Sequence, residues 1–296
     1  MKIKKLAAID IGSNAMRLLV CNVIEEDEIP TFKKVALVRL PIRLGQDVFI
    51  DHEISEANKQ RFIDGMKAYK YLMNVHQVEG YKACATSAMR ESENGVEIAN
   101  LIKEKTGISI DIIDGEEEAR IIQSAHFKDK LSPKKNYIYI DVGGGSTEIT
   151  LFSNGRVVDS KSFKIGTIRL LNDMVNEKVW DDLKHWVKEK TINLPELETI
   201  GSGGNINKIY KLSKKSYPKP LKYGELKQIH NLLSEMTVDE RIKSLKLNTD
   251  RADVIVPASS IFVSTMKWAE SKVLHVPKIG LADGLVMELY DQQLGK

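Results

Sequence analysis

One short pattern occurs twice in this chain and limits its possible folds more than any other feature. An apolar run, Leu6 to Ile9, leads into Asp10-Ile-Gly-Ser-Asn14. A second apolar run, Tyr137 to Ile140, leads into Asp141-Val-Gly-Gly-Gly-Ser-Thr-Glu148. Each is followed by what reads as a second strand, Met16 to Ile24 or Glu148 to Ser153, and then a third, Phe32 to Leu40 or Arg156 to Ser162. Asn154-Gly155 between the last two is a two-residue hairpin signal. The two aspartates stand 131 residues apart, too far for a solenoid period and natural for a duplicated domain. Strands followed by helices, twice over, predict an α/β chain of two similar domains. The length of 296 residues agrees, at roughly 150 per domain.

Between the repeats, Ser55 is a helix N-cap, and Phe62, Met66, Tyr69 and Met73 recur at helical spacing. Tyr81 to Ala85 reads as a strand, Gly95 to Thr106 as a helix stopped by Gly107, Ile108 to Ile113 as a strand and Glu116 to Phe127 as a helix. The loop Lys128 to Asn136, with Ser132-Pro133, is the best boundary, giving domains 1–127 and 128–296. Helical stretches are expected from Ile168, Trp180 and Ile206, and strands at Thr199-Ile200 and Val273 to Ile279. Val254 to Met266 is an apolar stretch, and a last helix, from Leu285, is a candidate to pack back on the first domain.

Composition excludes several classes. Forty-four basic against 41 acidic residues leave a formal charge of +3, too small for a nucleic-acid packaging protein. No apolar run approaches the roughly 18 residues of a membrane helix. Met1 to Lys5 looks like a signal n-region, but the apolar stretch behind it stops at Asp10. Cys21 and Cys84 sit in separate apolar runs, as reduced core thiols of a cytoplasmic protein do. Six histidines, at 52, 76, 126, 185, 230 and 275, show no zinc-type spacing and read as structural or surface residues.

The repeated turns carry the chemistry. Glycines beside a hydroxyl residue let successive backbone N–H groups point at one anion. Ser13, Asn14, Ser146 and Thr147 would add side-chain donors. Asp10, Asp141 and Glu148 would repel a phosphate held there unless a divalent cation lies between, so Mg²⁺ or another hard cation is expected. Gly201-Ser-Gly-Gly-Asn205 opens a helix and presents free N–H groups, without the Rossmann spacing. Thr86-Ser-Ala-Met-Arg90 ends a strand where a hydroxyl and a guanidinium can reach phosphate. In Glu116-Glu-Glu-Ala-Arg120 the acids suit a helix N-terminus, and one of the three could take a proton from water.

Seven segments in order, DIGSN from Asp10, RLG from Arg43, ATSAMR from Ala85, GEEEAR from Gly115, DVGGGSTE from Asp141, GSGG from Gly201 and RADVIVP from Arg251, resemble the exopolyphosphatase and guanosine pentaphosphate phosphohydrolase family. The resemblance implies two ribonuclease-H-like domains of the actin-like ATPase superfamily with an active-site cleft between them. It implies Mg²⁺-dependent removal of the terminal phosphate from inorganic polyphosphate or guanosine pentaphosphate, and relatives that pair as homodimers. Carried over, Glu118 matches the general base, and Asp141 and Glu148 match the acids around metal and water, with Asp10 as a further metal acid. Ser13, Asn14, Gly143, Gly144, Gly145, Ser146, Thr147, Gly203 and Gly204 fall in the phosphate cradle, and Arg90 matches a phosphate-contacting arginine.

This sequence departs from the family pattern in places. GLREG near the end is Gly280-Leu-Ala-Asp-Gly284 here, Ala15 follows SN, and Asn205 follows GSGG. The chain stops where longer members add a helical domain, so low processivity on long polymers is expected. A run without acids, containing Lys208, Lys211, Lys214 and Lys215, reads as a solvated face or as a track for a polyanion. No nucleic acid or membrane partner is indicated. Competing readings are a non-catalytic polyphosphate or alarmone sensor, and a sugar kinase or chaperone-type ATPase on the same fold.

Overall fold

Leu6 to Ile11 lacks polar alternation, apart from Asp10, because the strand it forms is covered on both faces, and every one of its residues is buried. The computed structural model describes residues 2–26, 29–124, 132 and 134–294. They fall into two units, Met1–His126 with Gly280–Lys296, and Phe127–Ile279.

In the first unit, β1 (Lys2–Ile11), β2 (Met16–Glu25) and β3 (Thr31–Leu40) form an antiparallel meander. Helices α1 (Leu44–Asp51) and α2 (Glu56–Val75) precede β4 (Gly80–Ala85), which runs parallel to β1. Then come α3 (Ser87–Glu91), α4 (Gly95–Thr106), β5 (Asp111–Ile112) and α5 (Gly115–Ser124). The sheet order is β3-β2-β1-β4-β5. The predicted stripe on α2 is its buried face, and Tyr69 Oη donates to Met16 O at 2.9 Å and Val38 O at 3.0 Å, tying the helix to the meander.

The second unit repeats this plan. β6 (Tyr137–Val142), β7 (Thr147–Ser153) and β8 (Arg156–Phe163) are again an antiparallel meander. After α6 (Thr167–Leu171) and α7 (Glu177–Thr191), β9 (Glu198–Ser202) runs parallel to β6. There follow α8 (Gly204–Leu212), β10 (Leu221–Lys222), α9 (Tyr223–Glu235), α10 (Val238–Leu245), α11 (Thr249–Ala252), α12 (Ile255–Trp268) and β11 (Val273–His275). The order β10-β11-β9-β6-β7-β8 adds one edge strand to the first unit's plan. Its core joins Ile138, Ile140 and Ile149 of the sheet to Phe262 and Met266 of the apolar stretch, which is helix α12.

Three expectations change. The strand expected over Ile108 to Ile113 shrinks to β5, because Ile108 N–H is taken by Thr106 Oγ1 at 3.1 Å and not by a ladder. The strand expected to reach Ile279 stops at His275, two residues before Pro277, which has no N–H to give. The last helix, α13 (Leu281–Gln293), starts four residues early and buries Leu281, Leu285, Val286 and Tyr290 against β1, β2, β4 and α5. The division 128–296 is corrected accordingly, since the segment from Gly280 belongs to the first unit. The expected helix end at Phe127 and most of the expected boundary loop lie outside the described residues. No helix among the described residues is long and apolar enough to cross a membrane.

Candidate functional site

In the first unit, four residues, Gly12 to Ala15, connect β1 to β2, and Gly12 N–H closes the turn on Ala15 O at 3.2 Å. A turn of that length sets Asp10 directly opposite Arg17 in the ladder, and Arg17 Nη1 lies 2.6 Å from Asp10 Oδ2. Asp10 is 6% exposed, so the guanidinium neutralises a buried charge. Expected as a metal acid, Asp10 is therefore held within its own unit by a cation of the protein.

Three of the sequence motifs meet around this turn. Ser13 Oγ is 2.8 Å from Ser87 Oγ, and Ser13 O accepts from Gly45 N–H at 2.8 Å. Asn14 O accepts from Arg43 N–H at 3.1 Å, and Asn14 Oδ1 from Arg43 Nε at 3.3 Å. Arg90, on α3, donates from Nη1 to Ile113 O at 2.7 Å, next to the start of α5. That helix begins with Asp114 Oδ1 accepting Glu117 N–H at 2.8 Å.

Burial separates the three glutamates that residue chemistry left equivalent. Glu116 is exposed. Glu117 is forked by Arg120 at 2.7 and 2.6 Å, and this hydrogen bonding holds its carboxyl below the ordinary range despite partial desolvation. Glu118 is buried, at 9% exposure, ahead of the core residues Ile121 and Ile122.

In the second unit the turn is Gly143 to Ser146, closed by Gly143 N–H on Ser146 O at 2.9 Å. The carbonyls of this turn face α6. Thr167 N–H reaches Gly143 O at 3.0 Å, Ile168 N–H reaches Gly144 O at 2.9 Å, and Arg169 Nε reaches Gly145 O at 2.8 Å. Gly144, Gly145 and Ser146 are buried, and among the described residues no protein acceptor pairs with their N–H groups. Buried backbone donors are nearly always paired, so three together are what an anion would satisfy.

The same spacing sets Asp141 directly opposite Glu148. Facing residues in such a ladder have Cβ atoms about 4.5–5.5 Å apart, and like charges there repel. Tyr139 Oη donates to Asp141 Oδ2 at 3.3 Å and Ser162 Oγ to Glu148 Oε1 at 3.0 Å, yet Glu148 is only 3% exposed. A buried and a half-buried carboxylate facing each other fit a hard divalent cation, and Mg²⁺ commonly takes one or two carboxylates and completes its shell with water and phosphate. Among the described residues no three acidic, histidine or cysteine side chains gather as a metal-ligand group, so Asp10, Asp141 and Glu148 do not form one together.

Gly203 has φ 103°, and a Cβ there would lie 3.2 Å from Asp141 Oδ1, so only glycine brings the GSGG backbone against the aspartate. Arg251 Nη1 donates to Gly204 O at 2.6 Å, at the start of α8. Lys208, half-buried one turn further on, is pushed down by desolvation and by the charges of Lys211 and Arg251.

Two expected donors are committed elsewhere. Thr147 is fully buried and its Oγ1 donates to Ile165 O at 2.6 Å, so its hydroxyl is not available to phosphate. Lys215 Nζ is held by Glu225 at 2.6 Å and Pro220 O at 2.9 Å, which removes it from the expected track. Lys214 is exposed in a left-handed turn, at φ 58°. The Asp283 of GLADG caps α13 through Gly280 N–H at 3.0 Å and pairs with Lys34 at 2.6 Å. Sequence reasoning assigned no role to Arg17, Arg169 or Arg251. Arg17 was discoverable, because a four-residue turn fixes which residue opposes Asp10.

A model of the Ppx/GppA phosphatase family matches residues 23–293. The chain is 34% identical over 208 residues to a bifunctional 3-dehydroquinate synthase/phosphatase of Fusobacterium nucleatum, matching 65% of this chain but spanning only 30% of that protein's length. It is 21% identical over 309 residues to exopolyphosphatase 1 of Mycobacterium tuberculosis, covering 98% of this chain and 89% of that one. Among solved structures, the Ppx/GppA family member of Aquifex aeolicus is 26% identical and superposes with a TM-score of 0.78 over 99% of both chains.

Proposed function

Because the chain belongs to the Ppx/GppA phosphatase family, we propose that it hydrolyses a terminal phosphoanhydride, with inorganic polyphosphate as substrate and Glu118 as general base. The observation that carries this reading is the Gly143–Ser146 turn, whose three buried N–H groups lie beside the facing carboxylates of Asp141 and Glu148. The amides of Gly144, Gly145 and Ser146 would bind oxygens of the terminal phosphoryl group and stabilise the charge that develops on them. Asp141 and Glu148 would hold the divalent cation, which when bound neutralises phosphate charge and orients water. Glu118, kept from bulk solvent, would take the proton of the attacking water. Ser13, and the amides at Gly203 and Gly204, are further phosphate donors in this reading.

Polyphosphate is favoured over guanosine pentaphosphate by the cationic group of Lys208, Lys211 and Arg251, which suits a run of phosphates. With Lys215 withdrawn, that support rests on fewer lysines than the sequence offered. The buried free thiols of Cys21 and Cys84 support a cytoplasmic setting.

The test is phosphate release measured side by side on long polyphosphate, short polyphosphate, guanosine pentaphosphate and ATP, with and without Mg²⁺. Turnover should require Mg²⁺ and be fastest on polyphosphate. Glu118→Gln should bind polyphosphate normally and release phosphate at least ~100-fold more slowly. Full activity in that variant removes Glu118 from the role, and faster turnover of ATP than of polyphosphate returns the kinase or ATPase reading.

A further inference from the structure

The first unit buries a carboxylate that the reaction above does not use. Glu288 lies on α13 at 9% exposure. It accepts from Lys82 Nζ of β4 at 2.9 Å and lies 2.8 Å from Arg120 Nη1 of α5. Arg120 uses Nε and Nη2 on Glu117, so its guanidinium bridges the carboxylate beside Glu118 to the last helix. One helical turn before Glu288, a Cβ on Gly284 would lie 2.0 Å from Ile121 O. The backbones of α13 and α5 therefore cross in direct contact, one turn after Glu118. Gly284 and Glu288 share a face of α13, and Glu118 and Ile121 share a face of α5, by the i, i+4 and i, i+3 rules.

We propose that Glu288 is a positioning residue for Glu118. With Arg120 as the bridge and Gly284 allowing the close approach, it sets where α5 stands and hence where its buried carboxylate points. The inference rests on Glu118 being the general base. A base must lie within hydrogen-bond reach of its water, and a displacement near 1 Å is enough to cost about 100-fold in rate. Lys82 fixes the other side of Glu288 to β4, and this carboxylate outweighs desolvation to hold the lysine above its ordinary range. The bridge thus runs from the sheet through the last helix to α5.

The experiment is a double-mutant comparison on the full chain. Steady-state and single-turnover phosphate release are followed for wild type, Glu288→Gln, Glu118→Gln and the double variant, with folding checked by circular dichroism. Glu288→Gln should lower kcat about tenfold with KM changed less than twofold, and should lower the residual rate of Glu118→Gln less than about twofold. Arg120→Lys keeps the charge but loses the fork, and should show the same dependence on Glu118, so the result does not rest on one variant folding. Equal losses in both backgrounds, or no loss in the wild-type background, overturn the proposal. Full activity in Glu118→Gln alone overturns the assignment of the base itself, and is seen without touching Glu288.

Discussion

The two Asp-x-Gly turns are the same backbone with opposite electrostatics. Each has four residues, each is closed by the first glycine's N–H on the fourth residue's carbonyl, and each sets an acid at the end of a central strand opposite the seventh residue after it. In the first unit that residue is Arg17, and in the second it is Glu148. The first turn closes its own charge and is joined through Ser13, Asn14 and Arg43 to neighbouring loops. The second sets two acids facing each other beside the amides of Gly144, Gly145 and Ser146, where we propose that the anion and its cation bind. A duplicated scaffold thus holds one copy whose aspartate faces a cation of the chain and one whose aspartate faces a second acid.

The strongest way to break this contrast is to give the second turn the first turn's pairing. Glu148→Arg should lower phosphate release at least ~100-fold, since the guanidinium would occupy the place proposed for the cation, and Mg²⁺ binding, if present in wild type, should be lost in calorimetry. Next in size, Gly203→Ala should cost about 1–3 kcal/mol in urea unfolding from its positive φ alone, and should also slow turnover because the new methyl pushes on Asp141. Gly12→Ala, whose nearest neighbour would be Ala15 O at 3.3 Å with no positive φ, should cost less by the same measurement.

The reverse exchange sharpens the comparison. Arg17→Glu copies the second turn's acid pair into the first, and should lower stability in EDTA by about 1–3 kcal/mol through an unpaired buried Asp10, with part of the loss recovered in millimolar Mg²⁺ or Ca²⁺. Unchanged stability would mean that the Asp10–Arg17 pair contributes nothing. The smallest effect belongs away from both turns, at Glu198. Desolvation would raise its carboxyl, but Lys135 at 2.5 Å and His275 at 2.7 Å hold it below the ordinary value of 4.5. Its contribution is therefore present above pH 4.5 and fades as pH falls through the lower folded value. Glu198→Gln should remove that part of the acid sensitivity, measured by melting temperature from pH 3 to 6, and leave turnover at pH 7 unchanged.

Much of the site was legible because each turn is written in five to eight consecutive residues. A strand, a glycine turn and a strand are local, and the register they impose names the facing residue. What stayed hidden depends on contacts across long separations. Nothing within Glu116-Glu-Glu tells which acid is buried, because Arg120 and the core under Ile121 decide it. Thr147 and Lys215 looked like ligands for an anion until the structure showed Ile165 O and Glu225 as their partners. The Asp283 of GLADG, where this sequence departs from the family pattern, is a helix cap and a partner for Lys34.

By itself the sequence determined the duplicated α/β plan, the two turns and the family of chemistry, because periodicity, glycine and turn length act over a few residues. Only the tertiary structure decided which unit owns the last helix, which glutamate is sheltered and that Asp10 is paired with Arg17. Those outcomes are set by burial and charge pairing between residues as far apart as Lys82 and Glu288, and a carboxylate's role follows from what it faces.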